Sequence, residues 1–480
     1  MDYPPSGQQC TLPGPMLLAA LAIIRSPYSS DIAIKGTQMQ IAVIGLGYVG
    51  LVTATCLARL GQRVVGLEVD AEKLHSLERG EAPYYEPGLQ SELTLQQSDG
   101  RLRFTLDAEE ALRDADVVLV CVGTPSAPTG EADLAAVHSV FDTLGQALDH
   151  PVVVALRSTV PVGTTRAAER ALNQALAARG LDWSVPVLAN PEFLRTGRAL
   201  EDFLHPSRVV VGRADLGDDD HAELLSTLYR PLEAPILVVD AESAELTKNA
   251  ANAYLATRIS FINELAMLCD ATGAVIDDVL RGISSDPRIG GDYLRPGIGY
   301  GGSCLPKDVR SMIAMGRQRD VELALAGAVD AVNAGQPGLA ADRLAADLDG
   351  QVAGRRVALL GLAFKPGTDD IRDSPALALA AVLRDRGATV VGCDPKAAAA
   401  VSRQAPWLTI CAGPLEASSG ADAVVLATEW PEYVTLSPAA LAEVMKGDLL
   451  FDARNALEPG AVRAAGLRYV GVGRASMTEA

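Results

Sequence analysis

The segment Gln40 to Asp70, QIAVIGLGYVGLVTATCLARLGQRVVGLEVD, constrains the fold of this chain more than any other. An apolar run, Ile41 to Ile44, enters the turn Gly45-Leu46-Gly47-Tyr48-Val49-Gly50, a helical stretch continues to about Leu60, and a second strand, Arg63 to Leu67, ends on Glu68. Glycines at 45, 47 and 50 let the backbone turn tightly, approach a pyrophosphate and pack the helix on the sheet. The helix N-terminus then presents N–H groups to the anion. Glu68 would accept hydrogen bonds from ribose hydroxyls and repel a 2′-phosphate, which predicts NAD rather than NADP.

Later strands are predicted at Val117–Val122, Val152–Leu156 and Val187–Ala189, and each delivers polar or turn-forming residues at its end: Gly123-Thr124-Pro125, Ser158-Thr159 and Asn190-Pro191-Glu192. Strand ends of that kind are where a doubly wound sheet holds ligands. Ala241 to about Asp270 reads as one long helix. Leu246, Ala250, Tyr254, Phe261 and Leu265 form an apolar stripe on it, with Lys248, Asn252, Ile259 and Asn263 on a neighbouring face. From Arg356 the strand, turn, helix and strand recur in RVALLGLAFKPGTDDIRDSPALALAAVLRDRGATVVGCDP, with Ser374-Pro375 starting the helix and Asp394 ending the second strand. This turn lacks the GxGxxG spacing and carries Lys365 instead, which suits a different phosphate ligand.

The predicted fold class is α/β, with two Rossmann-like doubly wound domains joined by a long central helix. The expected boundaries are an extension over 1–38, disordered or loosely docked, an NAD-binding domain over 39–238, a helical dimerisation region that carries the Cys304 loop over 239–340, and a second Rossmann-like domain, for a different phosphate ligand, over 341–480. The apolar stretch Met16 to Ile24 in the extension follows Asp2 and no basic residue, unlike a secretory signal.

Composition excludes several partners. Sixty acidic against 41 basic side chains give a formal charge of -19 with no basic cluster, so nucleic-acid binding is set aside. No apolar run reaches the ~20 residues of a membrane span. Seven cysteines (10, 56, 121, 269, 304, 393 and 411) and five histidines (75, 138, 150, 205 and 221) show no metal-ligand spacing. No metal and a reducing, cytoplasmic location are therefore expected.

The densest chemical signal is PGIGYGGSCLPKD, Pro296 to Asp308, in which four glycines lead up to Cys304. A cysteine can add to an aldehyde to give a thiohemiacetal, and loss of hydride from that adduct makes a thioester. The bland alternative is a buried structural cysteine.

The motifs IAVIGLGYVGL, STVPVGTT, NPEFLRTGRALEDFLHPSRVVVG, LTKNAANAYLATRISFINE, GYGGSCLPKD, GLAFKPGTDDIRDSP and TEWPEY, in this order, resemble the sugar-nucleotide 6-dehydrogenases of the UDP-glucose/GDP-mannose dehydrogenase family. The resemblance runs from about Met39 to Gly473. It implies a four-electron oxidation of a primary alcohol by two NAD, through an aldehyde and a thioester, to a carboxylate. By position, Cys304 resembles the nucleophile, Lys248 and Asp308 the pair that holds the attacking water and stabilises developing charge, and Asn252 a further residue lining that pocket. Glu192 resembles the acid/base of thioester hydrolysis and Thr159 a residue that positions it or the water. The resemblance places the cofactor on Gly45, Gly47, Tyr48, Val49, Gly50, Glu68, Lys73, Gly123, Thr124, Pro125, Ser158, Thr159, Glu192, Lys307 and Arg372. It places the sugar nucleotide on Phe193, Leu194, Arg195, Lys248, Asn252, Tyr293, Leu294, Arg295, Gly301, Phe364, Lys365 and Arg454, with Arg288 supplied across a subunit contact.

The implied substrate is UDP-glucose, with dTDP-glucose the alternative. Glu68 stands where the family usually has Asp, and Leu305 with the preceding YLRPG is also similar to GDP-mannose 6-dehydrogenase. A two-electron hydroxyacid dehydrogenase would share the first Rossmann unit but has no use for the Cys304 loop. A non-catalytic NAD-binding protein would be expected to lose the nucleophile or the base. The apolar surface of the long helix, spread over Ala250, Ala253, Ala256, Ile259 and Phe261, predicts at least a homodimer.

Overall fold

The computed structural model describes residues 38–214 and 219–474, so the expected extension, with Met16–Ile24 and Cys10, lies outside the described residues. Eight strands form the first sheet: β1 (Gln40–Ile44), β2 (Arg63–Leu67), β3 (Leu102–Thr105), β4 (Val117–Val120), β5 (Val153–Leu156), β6 (Val187–Ala189), β7 (Val209–Arg213) and β8 (Ile236–Asp240). Their order is β3-β2-β1-β4-β5-β6-β7-β8, and every pairing is parallel except β6 with β7. The second sheet comprises β9 (Arg356–Leu360), β10 (Thr389–Cys393), β11 (Thr409–Ile410), β12 (Ala423–Leu426), β13 (Leu449–Asp452) and β14 (Arg468–Gly471). Its order, β11-β10-β9-β12-β13-β14, repeats the first six strands of the first sheet, all parallel.

Both sheets are covered on both faces, which explains why their central strands are continuous apolar runs. Along β1, Ile41 and Val43 enter one core while Ala42 and Ile44 enter another on the opposite face. Along β9, Val357 and Leu359 face one cluster and Ala358 and Leu360 a second. Strands β4 and β5 are shorter than predicted: Cys121 still bonds to Ile44 O, but Ser158 turns its N–H and hydroxyl back onto Val120 and Val122.

The central helix spans Ala241–Thr272, capped at its start by Asp240 and ended by Gly273 in the left-handed region. The apolar stripe faces outward, with Leu246, Tyr254 and Phe261 exposed at 47%, 62% and 50%, while Lys248, Asn252 and Asn263 are buried. The polar face is turned inward because the helix Leu305–Arg317 packs along it and supplies Asp308 as a partner.

At the first turn, Gly45 has φ +85 and its N–H bonds to Leu67 O. A Cβ on Gly50 would lie 1.8 Å from Gly45 O, whereas a Cβ on Gly47 would meet nothing within 4 Å. Gly50→Ala is therefore expected to cost about 3 kcal/mol of stability, the upper end of core overpacking, while Gly47→Ala should unfold near the midpoint of the intact protein. Equal thermal midpoints for the two variants would contradict this account of the turn.

Candidate active site

The C-terminal ends of β1, β2, β4, β5 and β6 point into one crevice, at the position where the strand order reverses between β1 and β4. The helix α1 (Tyr48–Arg59) begins there with Gly47 as its N-cap, no side-chain cap and no acidic residue in its first turn. Its first N–H groups and the open space at Gly47 suit a pyrophosphate. Glu68 is buried and accepts from Leu46 N at 3.3 Å and Val69 N at 2.9 Å, with Lys73 Nζ 2.6 Å from its Oε2. Burial pushes its carboxyl up, but Lys73 and the backbone donors outweigh that and hold it below the usual range. Lys73 also weakens the simple repulsion argument against a 2′-phosphate. Thr124 Oγ1 donates to Thr159 O at 2.7 Å, tying the loop after β4 to the one after β5.

Beside this crevice, a cavity of about 910 Å³ opens between the NPEFL segment, the central helix, the Cys304 loop and the turn after β9. Cys304 is the N-cap of the helix Leu305–Arg317 and its Sγ lies 3.6 Å from Ser303 Oγ. Lys248, only 2% exposed, places Nζ 3.1 Å from Glu192 Oε1. The other oxygen of Glu192 accepts from Leu194 N. Asn252, one turn beyond Lys248, donates to Asp308 Oδ2 at 2.6 Å, and Lys307 Nζ sits 2.6 Å from Asp308 Oδ1. The two expected partners Lys248 and Asp308 thus hold different ions: Lys248 is paired with Glu192, and Asp308 with Lys307.

Burial lowers the proton affinity of Lys248, yet Glu192, Cys304 and Asp308 around it raise its pKa above the ordinary lysine value. It therefore stays cationic. The Cys304 thiol is pushed up by burial and by Glu192 and Asp308, with Lys248 pulling it down.

On the same cavity wall, and within electrostatic reach of Cys304, Lys365 is pushed down by burial and by Arg195, and it has no hydrogen-bond or ion-pair partner among the described residues. Arg454 is held by Glu429 at 2.8 Å, and Arg295 lines the same wall. Arg195 forms a two-pronged pair with Asp202, at 2.9 and 2.6 Å. Phe193, Leu194, Tyr293, Gly301 and Phe364 also line the cavity. Arg372 is clasped by Asp370, within electrostatic reach of Cys304.

Three expected residues stand elsewhere. Leu294 is buried with Ile262, Ala266, Cys269 and Ile276, so its side chain serves the helical core and not the cavity. Thr159 does not line the cavity and meets the crevice through its carbonyl. Arg288 pairs with Asp286 on an exposed loop, 87% accessible and outside the cavity wall. Conversely, the sequence reading passed over Arg208, Arg157 and Glu86. The Arg208 guanidinium lies 3.5 Å from the Phe193 ring centroid and lines the cavity. Arg157 is buried and bonds to Asn190 Oδ1 at 2.9 Å, Thr53 Oγ1 at 3.0 Å and Tyr229 OH at 3.2 Å, fixing the turn that carries Glu192. The only available signal for Arg208 was its place inside NPEFLRTGRALEDFLHPSRVVVG, for Arg157 its place immediately before STVPVGTT, and for Glu86 its place in PYYEPG.

Comparison with known proteins decides the family. The family models match in chain order: the NAD-binding domain over residues 39–233, the central domain over 242–335 and the UDP-binding domain over 358–459. The chain belongs to the UDP-glucose/GDP-mannose dehydrogenase family. It is 44% identical over 445 residues to a UDP-glucose 6-dehydrogenase of Pseudomonas aeruginosa, covering 91% of this chain and 98% of the relative. It is 41% identical over 440 residues to one of Rhizobium meliloti, covering 91% and 100%. Among solved structures, a UDP-glucose dehydrogenase from Pyrobaculum islandicum superposes with TM-score 0.84 at 38% identity, over 92% of this chain and 100% of that one. A UDP-D-ManNAc dehydrogenase from Pyrococcus horikoshii gives TM-score 0.80 at 29% identity, over 91% and 100%. The protein is accordingly an NAD-dependent sugar-nucleotide dehydrogenase. No helix among the described residues is long and apolar enough to cross a membrane.

The surroundings of Cys304 yield a direct test. Removing the Lys248 ammonium takes away the larger of the two influences that pull the thiol down and leaves the Ser303 hydrogen bond, so Lys248→Met should slow iodoacetamide alkylation of the Cys304 peptide at pH 7.5 about tenfold, one pKa unit being a factor of ten. The alkylation profile of the variant should move to higher pH. An unchanged rate would show that Lys248 does not set the thiol's acidity.

Proposed function

We propose that the protein oxidises the C6 alcohol of UDP-glucose to the carboxylate, consuming water and two NAD and releasing UDP-glucuronate, two NADH and three protons. The observation that carries this reading is the convergence of Cys304, Lys248, Asn252 and Glu192 on one cavity that Lys365, Arg295 and Arg454 also line. Residues 39–238 hold the cofactor, 341–480 the diphosphate, and 239–340 the catalytic loop and a subunit interface. NAD, bound on the α1 turn with Glu68 and Lys73 at its adenosine ribose, supplies a hydride acceptor at each oxidation.

The alcohol reacts first, losing a hydride from C6 and its hydroxyl proton, with the Lys248 ammonium stabilising the charge that develops on oxygen. The Cys304 thiolate then adds to the aldehyde carbon, forming a C–S bond and a thiohemiacetal. Loss of a second hydride leaves a thioester. Water, held by Asn252 and Lys248 and relieved of a proton by Glu192, attacks the carbonyl; the C–S bond breaks and the thiolate returns. Phe193, Leu194, Arg195, Tyr293, Gly301 and Phe364 orient the sugar nucleotide, while Lys365, Arg295 and Arg454 neutralise the diphosphate. Only the second oxidation needs Cys304. Cys304→Ala should therefore stop short of the acid, and Glu192→Gln should accumulate an adduct on the Cys304 peptide, visible by mass spectrometry of quenched protein. Conversion of UDP-glucose to uronate by Cys304→Ala at near-normal rate would overturn the mechanism.

The exposed stripe of Leu246, Tyr254 and Phe261, together with Arg288 lying outside its own cavity, supports a homodimer in which Arg288 enters the partner subunit's site. The reduced cysteines suit a cytoplasmic enzyme. Arg288→Ala and Cys304→Ala, assayed by formation of UDP-glucuronate, should each give none alone. Mixed and allowed to exchange subunits, they should recover activity, about a quarter of the intact level for random pairing, because one site of each mixed dimer is complete. No recovery after exchange confirmed by mass spectrometry, or a fully active monomer by light scattering, would refute this arrangement.

A further inference from the structure

Glu86 takes no part in the chemistry above, yet it is 4% exposed and its two oxygens meet both ligand-binding segments. One oxygen accepts from the Tyr48 hydroxyl and from Gly197 N at 2.6 Å, and the other accepts from Ala199 N at 2.8 Å. Tyr48 is the first residue of α1, at the pyrophosphate turn. Gly197 and Ala199 close the loop that begins at Glu192 and carries Phe193, Leu194 and Arg195 along the cavity. The neighbours of Glu86 extend the junction. Tyr84 OH donates to Gly47 O at 3.2 Å, and Tyr85 N donates to Asp369 Oδ2 at 3.2 Å on the turn that carries Lys365. Gly197, in the left-handed region, approaches that turn so closely that a Cβ would lie 3.0 Å from Gly367 O.

Neither the turn nor the loop can shift without breaking bonds to the same buried carboxylate, and charge-assisted bonds of this kind are the stronger ones. A ligand that orders one segment therefore orders part of the other, and a second ligand finds its contacts already placed. We propose that Glu86 is a positioning residue that couples the two sites, so that a nicotinamide dinucleotide at the turn tightens binding of the sugar nucleotide at the loop. By linkage the sugar nucleotide tightens the dinucleotide by the same factor.

The proposal rests on the UDP-glucose reading, and two measurements separate the two. Calorimetric titration of UDP-glucose should give a dissociation constant about fivefold or more lower with saturating NADH than without, the lower end of usual site coupling. In Glu86→Gln, where an NH₂ replaces one acceptor, the ratio should fall to near one, and Tyr48→Phe, which cuts the link to the turn, should lower it as well. A purely structural role would weaken both affinities together and keep the ratio. A ratio of one in the intact protein, or an unchanged ratio in both variants, overturns the coupling. The second measurement needs no sugar: NADH alone should slow amide exchange over residues 193–199 in the intact protein and not in Glu86→Gln. Equal slowing in both refutes the role of Glu86. Failure of UDP-glucose to bind, with the exchange result as expected, would count against the substrate and leave the coupling supported.

Discussion

The ion pair between Lys248 and Glu192 is buried on both sides, and the path of the central helix follows from it. Withdrawing two charges from water is expensive, and mutual attraction repays the cost only where further bonds satisfy the remaining atoms. Here Leu194 N takes the second carboxylate oxygen, and the neighbouring turn of the helix offers Asn252 to Asp308, itself held by Lys307. A helix that must keep such a row in the interior cannot also bury its apolar stripe there. Leu246, Tyr254 and Phe261 are left facing outward, and a surface of that composition calls for a partner. The buried polar row and the exposed apolar stripe are thus two consequences of one choice of helix face, and the second is what the proposed homodimer would cover.

The two sheets share a turn that glycine spacing alone does not reveal. Gly45 N bonds to Leu67 O and Gly361 N to Cys393 O, both glycines being left-handed, at +85 and +95. Glu68 accepts from Leu46 N; Asp394, at the matching strand end, accepts from Leu362 N at 2.8 Å and Ala363 N at 3.0 Å. They differ in what is left over. Asp394 also bonds to Trp430 Nε1 and to the backbone of Lys396 and Ala397, which leaves it no acceptor for a ribose. The second half therefore keeps the Rossmann framework while giving up the dinucleotide site, and Lys365 on its turn is free for a diphosphate.

Much of this was legible in the sequence because the information is local. Strand, glycine turn, helix and terminal acid lie within thirty-one residues, Gln40 to Asp70, and the four glycines before Cys304 within six, Gly297 to Gly302. Residues whose meaning depends on distant partners were not legible. Glu86 acts through Gly197 and Ala199, and Arg157 through Thr53 and Tyr229, separations that no periodicity records. The direction of the Leu294 side chain was hidden for the opposite reason. It sits between Tyr293 and Arg295, which do line the cavity, and a linear reading cannot tell that alternate residues of a loop face opposite ways. The stripe on the central helix was located correctly but faces outward, since periodicity shows that a helix has two faces and not which one the rest of the chain covers.

The glycine run before Cys304 invites the reading that this cysteine sits on a flexible loop, and the contacts argue the reverse. A Cβ on Gly301 would lie 2.0 Å from Asp373 O, one on Gly302 2.7 Å from the Phe364 ring, and one on Gly297 3.1 Å from Ala453 O. These glycines are there because the turn after β9 and the end of β13 pass directly against the loop. Gly297 N is bonded to Asn263 of the central helix, Tyr300 is bracketed through N and O by Asn333, and Gly302 N is bonded to Arg372 O. Cys304 is therefore positioned by backbone contacts with both the central helices and the second sheet, while the groups that set its charge, Lys248 and Glu192, come from the central helix and the first sheet. The surroundings of Cys304 are complete only where both halves meet, at the seam that the proposed reading gives to a sugar between a hydride acceptor and a diphosphate.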